Sequence, residues 1–215
     1  MKSKRALFLA GGWSGHAPLD IVRIFSGELQ ASGFETRIEE SLEHLAEADE
    51  LKTYDVIFPC WTMGALTPEQ TKGLLEAVRS GVGLAGIHGG MGDAFRGNTD
   101  YEWMVGGHFV GHPHVGDYTV RVTDQAHPIT AGLPASFAYK SEQYYMLVDP
   151  GVHVLADSAY THEGRTGTMP IAWTKHWGKG RVFYHSLGHA PSEFTQFPAA
   201  HTLTMQGVRW VAHAL

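Results

Sequence analysis

The sequence predicts an α/β fold in which a mostly parallel central sheet carries helices on both faces. Three observations lead there. Short apolar runs at residues 6–9, 55–60 and 82–87 have the length of buried strands. Helical patterns separate them, at about residues 18–32 and 67–80, so strand and helix alternate. The first and third runs end in glycine-rich turns, which in an open α/β sheet lie at the ligand-binding edge.

The first strand empties into Gly11-Gly12-Trp13-Ser14-Gly15-His16. This turn has neither the Gly-x-Gly-x-x-Gly spacing nor a Walker lysine, so it does not read as a nucleotide phosphate site. The following helix puts Val22, Phe25 and Leu29 on one face and stops at Gly33. A second strand is expected at residues 34–38, and the acidic stretch 39–50 reads as a solvated loop with a short helix. The third strand leaves through Trp61-Thr62-Met63-Gly64. Thr67-Pro68-Glu69-Gln70 then has the form of a helix start, with a threonine cap, proline at the first position and glutamine where a capping box needs it. Leu74, Leu75 and Val78 form the face to be buried, and Ser80-Gly81 ends the helix.

Gly86-Ile87-His88-Gly89-Gly90 has the spacing of a nucleophile elbow, a strained strand-to-helix turn that lifts one side chain above the sheet. The flanking glycines remove Cβ atoms that would clash in such a turn. The displayed residue is a histidine, not a serine or cysteine.

Beyond the elbow the pattern changes. A glycine-rich segment leads to His108, His112 and His114. Tyr118, Val120 and Val122 alternate with polar residues, which predicts a half-exposed strand. Residues 127–134 are turn-rich. Residues 137–146 read as a strand or an irregular segment carrying Glu142, Gln143, Tyr144 and Tyr145. Strands are expected at 152–156, 170–174 and 181–185, the last two joined by a hairpin turn at Trp177-Gly178-Lys179-Gly180. A closing helix spans about residues 199–213, with Leu203, Trp210 and Val211 roughly on one face. No repeat or linker divides the chain, so one domain over residues 1–215 is expected.

The composition agrees with a globular enzyme-sized domain. The 215 residues are 43% hydrophobic and 18% charged, enough to bury a substantial core. The formal net charge is −6, without a Lys/Arg-rich block, which argues against a nucleic-acid surface. No apolar run spans a bilayer, and Met1-Lys2-Ser3-Lys4-Arg5 leads into the first strand without a signal-peptide core, so a cytoplasmic protein without a membrane partner is expected. Cys60 is the single cysteine and allows no internal disulfide. The 14 histidines are scattered along the chain rather than gathered in one tract, which sets aside a low-complexity metal-binding run.

Several motifs agree in their order. They are Gly11-Gly12-Trp13-Ser14-Gly15-His16, the elbow at His88, and Gly106-Gly107-His108-Phe109 with His112-Pro113. His127-Pro128-Ile129-Thr130 with Gly132-Leu133, and Gly178 to Tyr184 with Leu187-Gly188-His189, complete the set. Together they resemble the ThuA-like (trehalose utilisation) family, related in fold to class I glutamine amidotransferases, over nearly the whole chain. The resemblance implies a flavodoxin-like, amidotransferase-like three-layer sandwich with a mostly parallel central sheet. It also implies a role in the use of trehalose and related disaccharides, often through 3-keto sugar intermediates. It does not imply glutamine hydrolysis. A class I amidotransferase needs a cysteine nucleophile at the elbow, and here His88 stands there. Cys60 lies on an earlier strand, and His189 and Glu193 do not keep the downstream His-Pro-Glu spacing of that family.

His16, Trp61, His88 and His189 each follow a strand end and are expected to converge on one cleft. His88, Glu142 and His189 are the candidate catalytic groups, with His88 as the central acid/base. Trp13, His16, Trp61, His108, Tyr144 and Tyr145 are candidate substrate contacts. Each histidine has a plainer alternative, as a loop residue bonded to backbone. His108, His112 and His114 form a candidate metal set, for a divalent ion such as zinc. Gly111 and Pro113 argue against a helix through them, and a sugar-binding loop is the alternative. The expected function is an enzyme acting on a disaccharide, glycoside or keto-sugar. A non-catalytic sugar-binding or regulatory protein and a metal-dependent hydrolase are the competing readings. The expected partner is a small-molecule carbohydrate, with a homodimer as the prior for the assembly.

Overall fold

The computed structural model describes residues 3–215. Met1 and Lys2, part of the stretch read for a leader, lie outside the described residues. Strand β1 (Arg5–Gly12) leads through a short 3-10 turn to helix α1 (Pro18–Ala31) and strand β2 (Glu35–Glu39). The acidic stretch holds a 3-10 turn and the single-turn helix α2 (Ala48–Leu51). Strand β3 (Val56–Thr62), helix α3 (Pro68–Ser80), strand β4 (Gly83–Ile87) and the short helix α4 (His88–Gly92) follow. The capping box at Thr67 forms in both directions, with the Thr67 hydroxyl accepting from the Gln70 N–H at 3.2 Å and Gln70 Oε1 accepting from the Thr67 N–H at 2.8 Å.

Helix α5 (Thr99–Val105) is an addition to the sequence reading, which passes over this stretch as glycine-rich loop. Asn98 starts it by accepting from the Tyr101 N–H, and Gly106 ends it in the left-handed region at φ 90°. Four strands then follow without an intervening long helix: β5 (Gly107–Val122), β6 (Ser136–Val148), β7 (His153–His162) and β8 (Arg165–Trp177). Strand β9 (Gly180–His185), the short helix α6 (Glu193–Gln196) and helix α7 (Pro198–Val211) complete the chain.

All nine strands form one sheet in the order β2-β1-β3-β4-β9-β8-β7-β5-β6. Here the structure corrects the expectation of a mostly parallel, flavodoxin-like sandwich. The four parallel pairings are confined to the half containing β2, β1, β3, β4 and β9. The pairings among β9, β8, β7, β5 and β6 are antiparallel and run along the longest strands, so the sheet is mixed and mostly antiparallel. The reason lies in the connections. A parallel pair needs a crossover, usually a helix, whereas β7 turns directly into β8 through Glu163 and Gly164, at φ 48° and 75°. Positive φ at both turn residues is the type I′ geometry that suits a two-residue hairpin. The β8–β9 hairpin turns at Gly178-Lys179, closed by the Trp177–Gly180 pair.

Two apolar layers sandwich the parallel half. Side chains alternate across β1, so Phe8 joins Phe25, Phe58, Phe183 and Leu203 beneath α1 and α7. Leu7 and Leu9 join Ile57, Leu74, Val78 and Tyr184 beneath α3 and α5. Burying these side chains removes about 1.5–3 kcal/mol worth of exposed apolar surface per large residue. The result is a rigid base from which the carboxyl ends of β1, β3, β4 and β9 emerge together.

Candidate functional site

The centre of the site is the turn from β4 into α4. His88 occupies the left-handed region at φ 43°, a conformation that costs a non-glycine residue roughly 1–2 kcal/mol. The turn also demands small neighbours. A Cβ on Gly86 would fall 2.5 Å from Met91 Cβ, and one on Gly90 would fall 2.9 Å from Cys60 Cα. A Cβ on Gly89 would fall 2.6 Å from His16 Cε1, so glycine there lets the His16 ring lie against the elbow.

The His88 side chain is 2% exposed. Its Nδ1 lies 2.7 Å from the Ser186 carbonyl oxygen, just past β9, and its ring stacks on Tyr144 of β6 at 4.1 Å. The Tyr184 hydroxyl donates to the His88 carbonyl at 3.0 Å and fixes the backbone of the turn. His16 arrives from the exit of β1 and is held through Nδ1 by the Thr62 hydroxyl at 2.7 Å. His189 arrives from the exit of β9. Its loop is pinned by a buried pair: Glu193 Oε2 accepts from the Tyr139 hydroxyl at 2.5 Å and from the His189 N–H at 3.1 Å, while Tyr139 accepts from the Gly188 N–H.

Glu142 joins these three imidazoles from the antiparallel half. It stands on β6, and the same alternation that turns it inward turns Tyr144 inward as well. Glu142 Oε2 lies 3.3 Å from His88 Nε2 and 3.4 Å from His189 Nδ1, and Oε1 lies 3.7 Å from His112 Nε2. One donor atom from each of His16, His88, Glu142 and His189 lies within 4.8 Å of the others, the scale of a site for one ion or a shared proton. The electrostatics follow from this packing. His189 and then His88 hold the Glu142 carboxyl well below the usual carboxylate range. Glu142 in turn raises the His189 imidazole above its ordinary value. Burial, with the neighbouring His88 and His189, pushes His16 down to about 3 and keeps it neutral.

The structure places the remaining sequence candidates at different distances from this cluster. Trp13 lies at the rim, 47% exposed, edge-on to His16 at 4.7 Å. Trp61 packs between Gly11 and Gly64 against the α3 layer, and its neighbour Thr62 is the residue that touches His16. Tyr145 points to the opposite face of β6 from Glu142 and is 43% exposed. His108, His112 and His114 do not form a common donor cluster among the described residues. The segment is not a loop but part of β5, with register shifts between Phe109 and Gly111 and between Gly111 and His114. His108 turns to Glu102 at 3.4 Å, His112 to Glu142, and His114 to the Asp117 carbonyl at 3.2 Å. Thr62, Ser186 and Tyr139 carry no sequence motif. Only their positions, at strand ends or facing one, could have suggested them. A separate cleft of about 860 Å³ between α3 and the start of α5 includes none of the four cluster residues.

Fold and site define an α/β protein that displays a histidine from an elbow and surrounds it with imidazoles and one carboxylate. A ThuA-like protein from Bacteroides uniformis ATCC 8492 superposes with a TM-score of 0.80 at 21% identity, covering 98% of this chain and 93% of that one. A ThuA-like protein from Parabacteroides merdae ATCC 43184 gives 0.79 at 18% identity, covering 98% and 90%. A cytoplasmic protein from Salmonella typhimurium LT2 gives 0.62 at 13% identity, covering 97% and 98%. No curated protein matches the chain. The chain belongs to the ThuA family, described as trehalose utilisation, which it matches over residues 5–211. No helix among the described residues is long and apolar enough to cross a membrane.

Proposed function

We propose that the cluster is the active site of a carbohydrate-processing enzyme whose substrate is a neutral disaccharide, glycoside or keto-sugar. The observation that carries this reading is Glu142, a carboxylate kept ionised between His88 and His189. A carboxylate and an imidazole of raised proton affinity at one point form an acid–base pair, able to take a proton from one sugar atom and return it to another. The aromatic face of Trp13, exposed at the rim, suits a sugar ring better than a phosphate, whereas Tyr144 is buried and serves to back the His88 ring. The family's description as trehalose utilisation supports the substrate class.

The elbow and the parallel half of the sheet also support kinship with the amidotransferase superfamily, without its glutamine chemistry. His88 stands where that chemistry needs a thiolate, and burial pushes the Cys60 thiol up to about 12, far from a reactive form. The reading includes a cytoplasmic protein without a nucleic-acid partner, in keeping with the charge balance.

A turnover screen with disaccharides and 3-keto sugars tests the reading. Glu142→Gln keeps the shape of the side chain and removes its base. It should lower kcat by about 100-fold or more. Unchanged turnover in Glu142→Gln would remove Glu142 from the chemistry. Saturable sugar binding with no turnover of any substrate would favour a non-catalytic sugar-binding protein.

A further inference from the structure

Acid–base chemistry leaves one feature of the cluster unexplained. His88 Nε2 and His189 Nδ1 are buried and make no hydrogen bond. The Ser186 carbonyl can only accept, so in the neutral ring the His88 proton sits on Nδ1 and Nε2 presents a lone pair. That lone pair faces Glu142 Oε2, a second acceptor, at 3.3 Å. His189 Nδ1 faces the same oxygen at 3.4 Å. Acceptors this close need a proton or a metal ion between them, and a metal ion serves both contacts of Glu142 Oε2 at once.

We infer that His16, His88, His189 and Glu142 together bind one divalent transition-metal ion. The dimensions agree. A tetrahedral ion with bonds of about 2.0–2.1 Å has ligand–ligand edges of roughly 3.4 Å. Two separations already match, and no separation in the set exceeds 4.8 Å. Three imidazole nitrogens favour zinc or iron over magnesium or calcium, and the one carboxylate oxygen is also compatible with manganese. The outer bonds fit as well. Ser186 fixes the His88 ring through its other nitrogen, and the Thr62 hydroxyl holds His16 at Nδ1, leaving Nε2 as its ligand atom. This set shares no residue with His108, His112 and His114. The inference deepens the sugar-processing reading of the same site. With four protein ligands in place, the ion would polarise a carbonyl or hydroxyl of the substrate by expanding to five-coordinate.

The test uses the full-length, untagged protein. Elemental analysis of the purified chain is followed by chelator stripping and titration with Zn²⁺ or Mn²⁺ alone. The expected result is about one equivalent of metal per chain, with affinity reduced about tenfold or more in His88→Ala and in Glu142→Gln. His108→Ala and His114→Ala should bind as the parent does. Circular dichroism on every variant separates lost binding from lost folding, and the metal should raise the Tm of the parent but not of His88→Ala. Absence of stoichiometric binding by the parent, or equal affinity in a folded His88→Ala, would overturn the inference. Sugar turnover measured on stripped and reloaded protein keeps the two readings apart. Metal binding without turnover of any sugar overturns the carbohydrate reading alone, and full turnover by stripped protein overturns only the ion's part in that chemistry.

Discussion

His88 Nδ1 donates to the Ser186 carbonyl at 2.7 Å, and this contact decides which side of the imidazole Glu142 meets. The bond joins the exit of β4 to the exit of β9, two parallel neighbours whose residues Ile87 and His185 pair in register. Adjacent strands thus orient the displayed histidine from below, and the stacked Tyr144 ring holds it from the side. A side chain held on two sides loses little further entropy when it acts, which is the physical advantage of placing it on an elbow.

The elbow stores strain that substitutions should reveal. At φ 43°, glycine sits more easily than any residue with a Cβ. His88→Gly should therefore be more stable than His88→Ala by roughly 0.5–1 kcal/mol, although glycine usually costs stability elsewhere. Both variants lose the Ser186 bond and the Tyr144 stack, so their difference isolates the backbone. Urea unfolding of the pair measures it, and a more stable alanine variant would show that the turn relaxes out of the left-handed region.

Gly90 tests the packing beneath the elbow. An added Cβ would meet the Cα of Cys60 at 2.9 Å, backbone that cannot rotate away. Gly90→Ala should cost about 1–3 kcal/mol, the usual range for overpacking. A neutral result in chemical denaturation would mean that α4 shifts freely above β3.

The site was legible where it depends on local rules and obscure where it depends on long-range pairing. Glycines at 86, 89 and 90 announce a strained turn without any tertiary knowledge. Strand exits share an edge in any parallel sheet, so His16, His88 and His189 could be grouped from the chain alone. The choice between Trp61 and Thr62 could not be made, because adjacent strand residues face opposite ways and one position decides the face. Glu142 is different again. It could be singled out as a carboxylate beside two rings, but its arrival at His88 depends on β6 folding back along β5. The divergence of His108, His112 and His114 follows from two register irregularities in β5, which no spacing rule reports. In the antiparallel half the β8–β9 hairpin was legible from Trp177-Gly178-Lys179-Gly180, but the β7–β8 hairpin escaped for a related reason. Its I′ turn at Glu163-Gly164 lacks the Asn-Gly or Asp-Gly pair that signals such hairpins.

Cys60 should be inert in the folded protein. It is 2% exposed, and burial raises its thiol to about 12, so almost no thiolate forms at pH 8. Iodoacetamide should label it only after denaturation, as mass spectrometry of the intact chain would show. Rapid labelling of the native protein would place Cys60 in contact with solvent and reopen thiol chemistry.

His185 makes stability fall in acid. Its Nδ1 accepts from the Leu187 N–H at 3.2 Å, so its proton lies on Nε2, 2.7 Å from the Thr204 hydroxyl. A second proton would have to enter at Nδ1, against that N–H, in a fully buried site. Burial accordingly pushes the group from 6.5 down to about 3. The sign follows from proton counting. Above pH 6.5 neither state binds the extra proton, and the group adds no pH dependence. Between 6.5 and 3 the unfolded chain binds it and the folded chain does not, so stability declines as pH falls. The slope approaches roughly 1.4 kcal/mol per pH unit for one such group, and His16, also held near 3, adds a second. Denaturant unfolding of the parent between pH 6 and 4.5, above most carboxylate titrations, should show this decline. His185→Gln should be less stable overall yet flatter by about one proton's worth of slope. An unaltered slope in that variant would show that the folded protein accepts the proton on His185 after all.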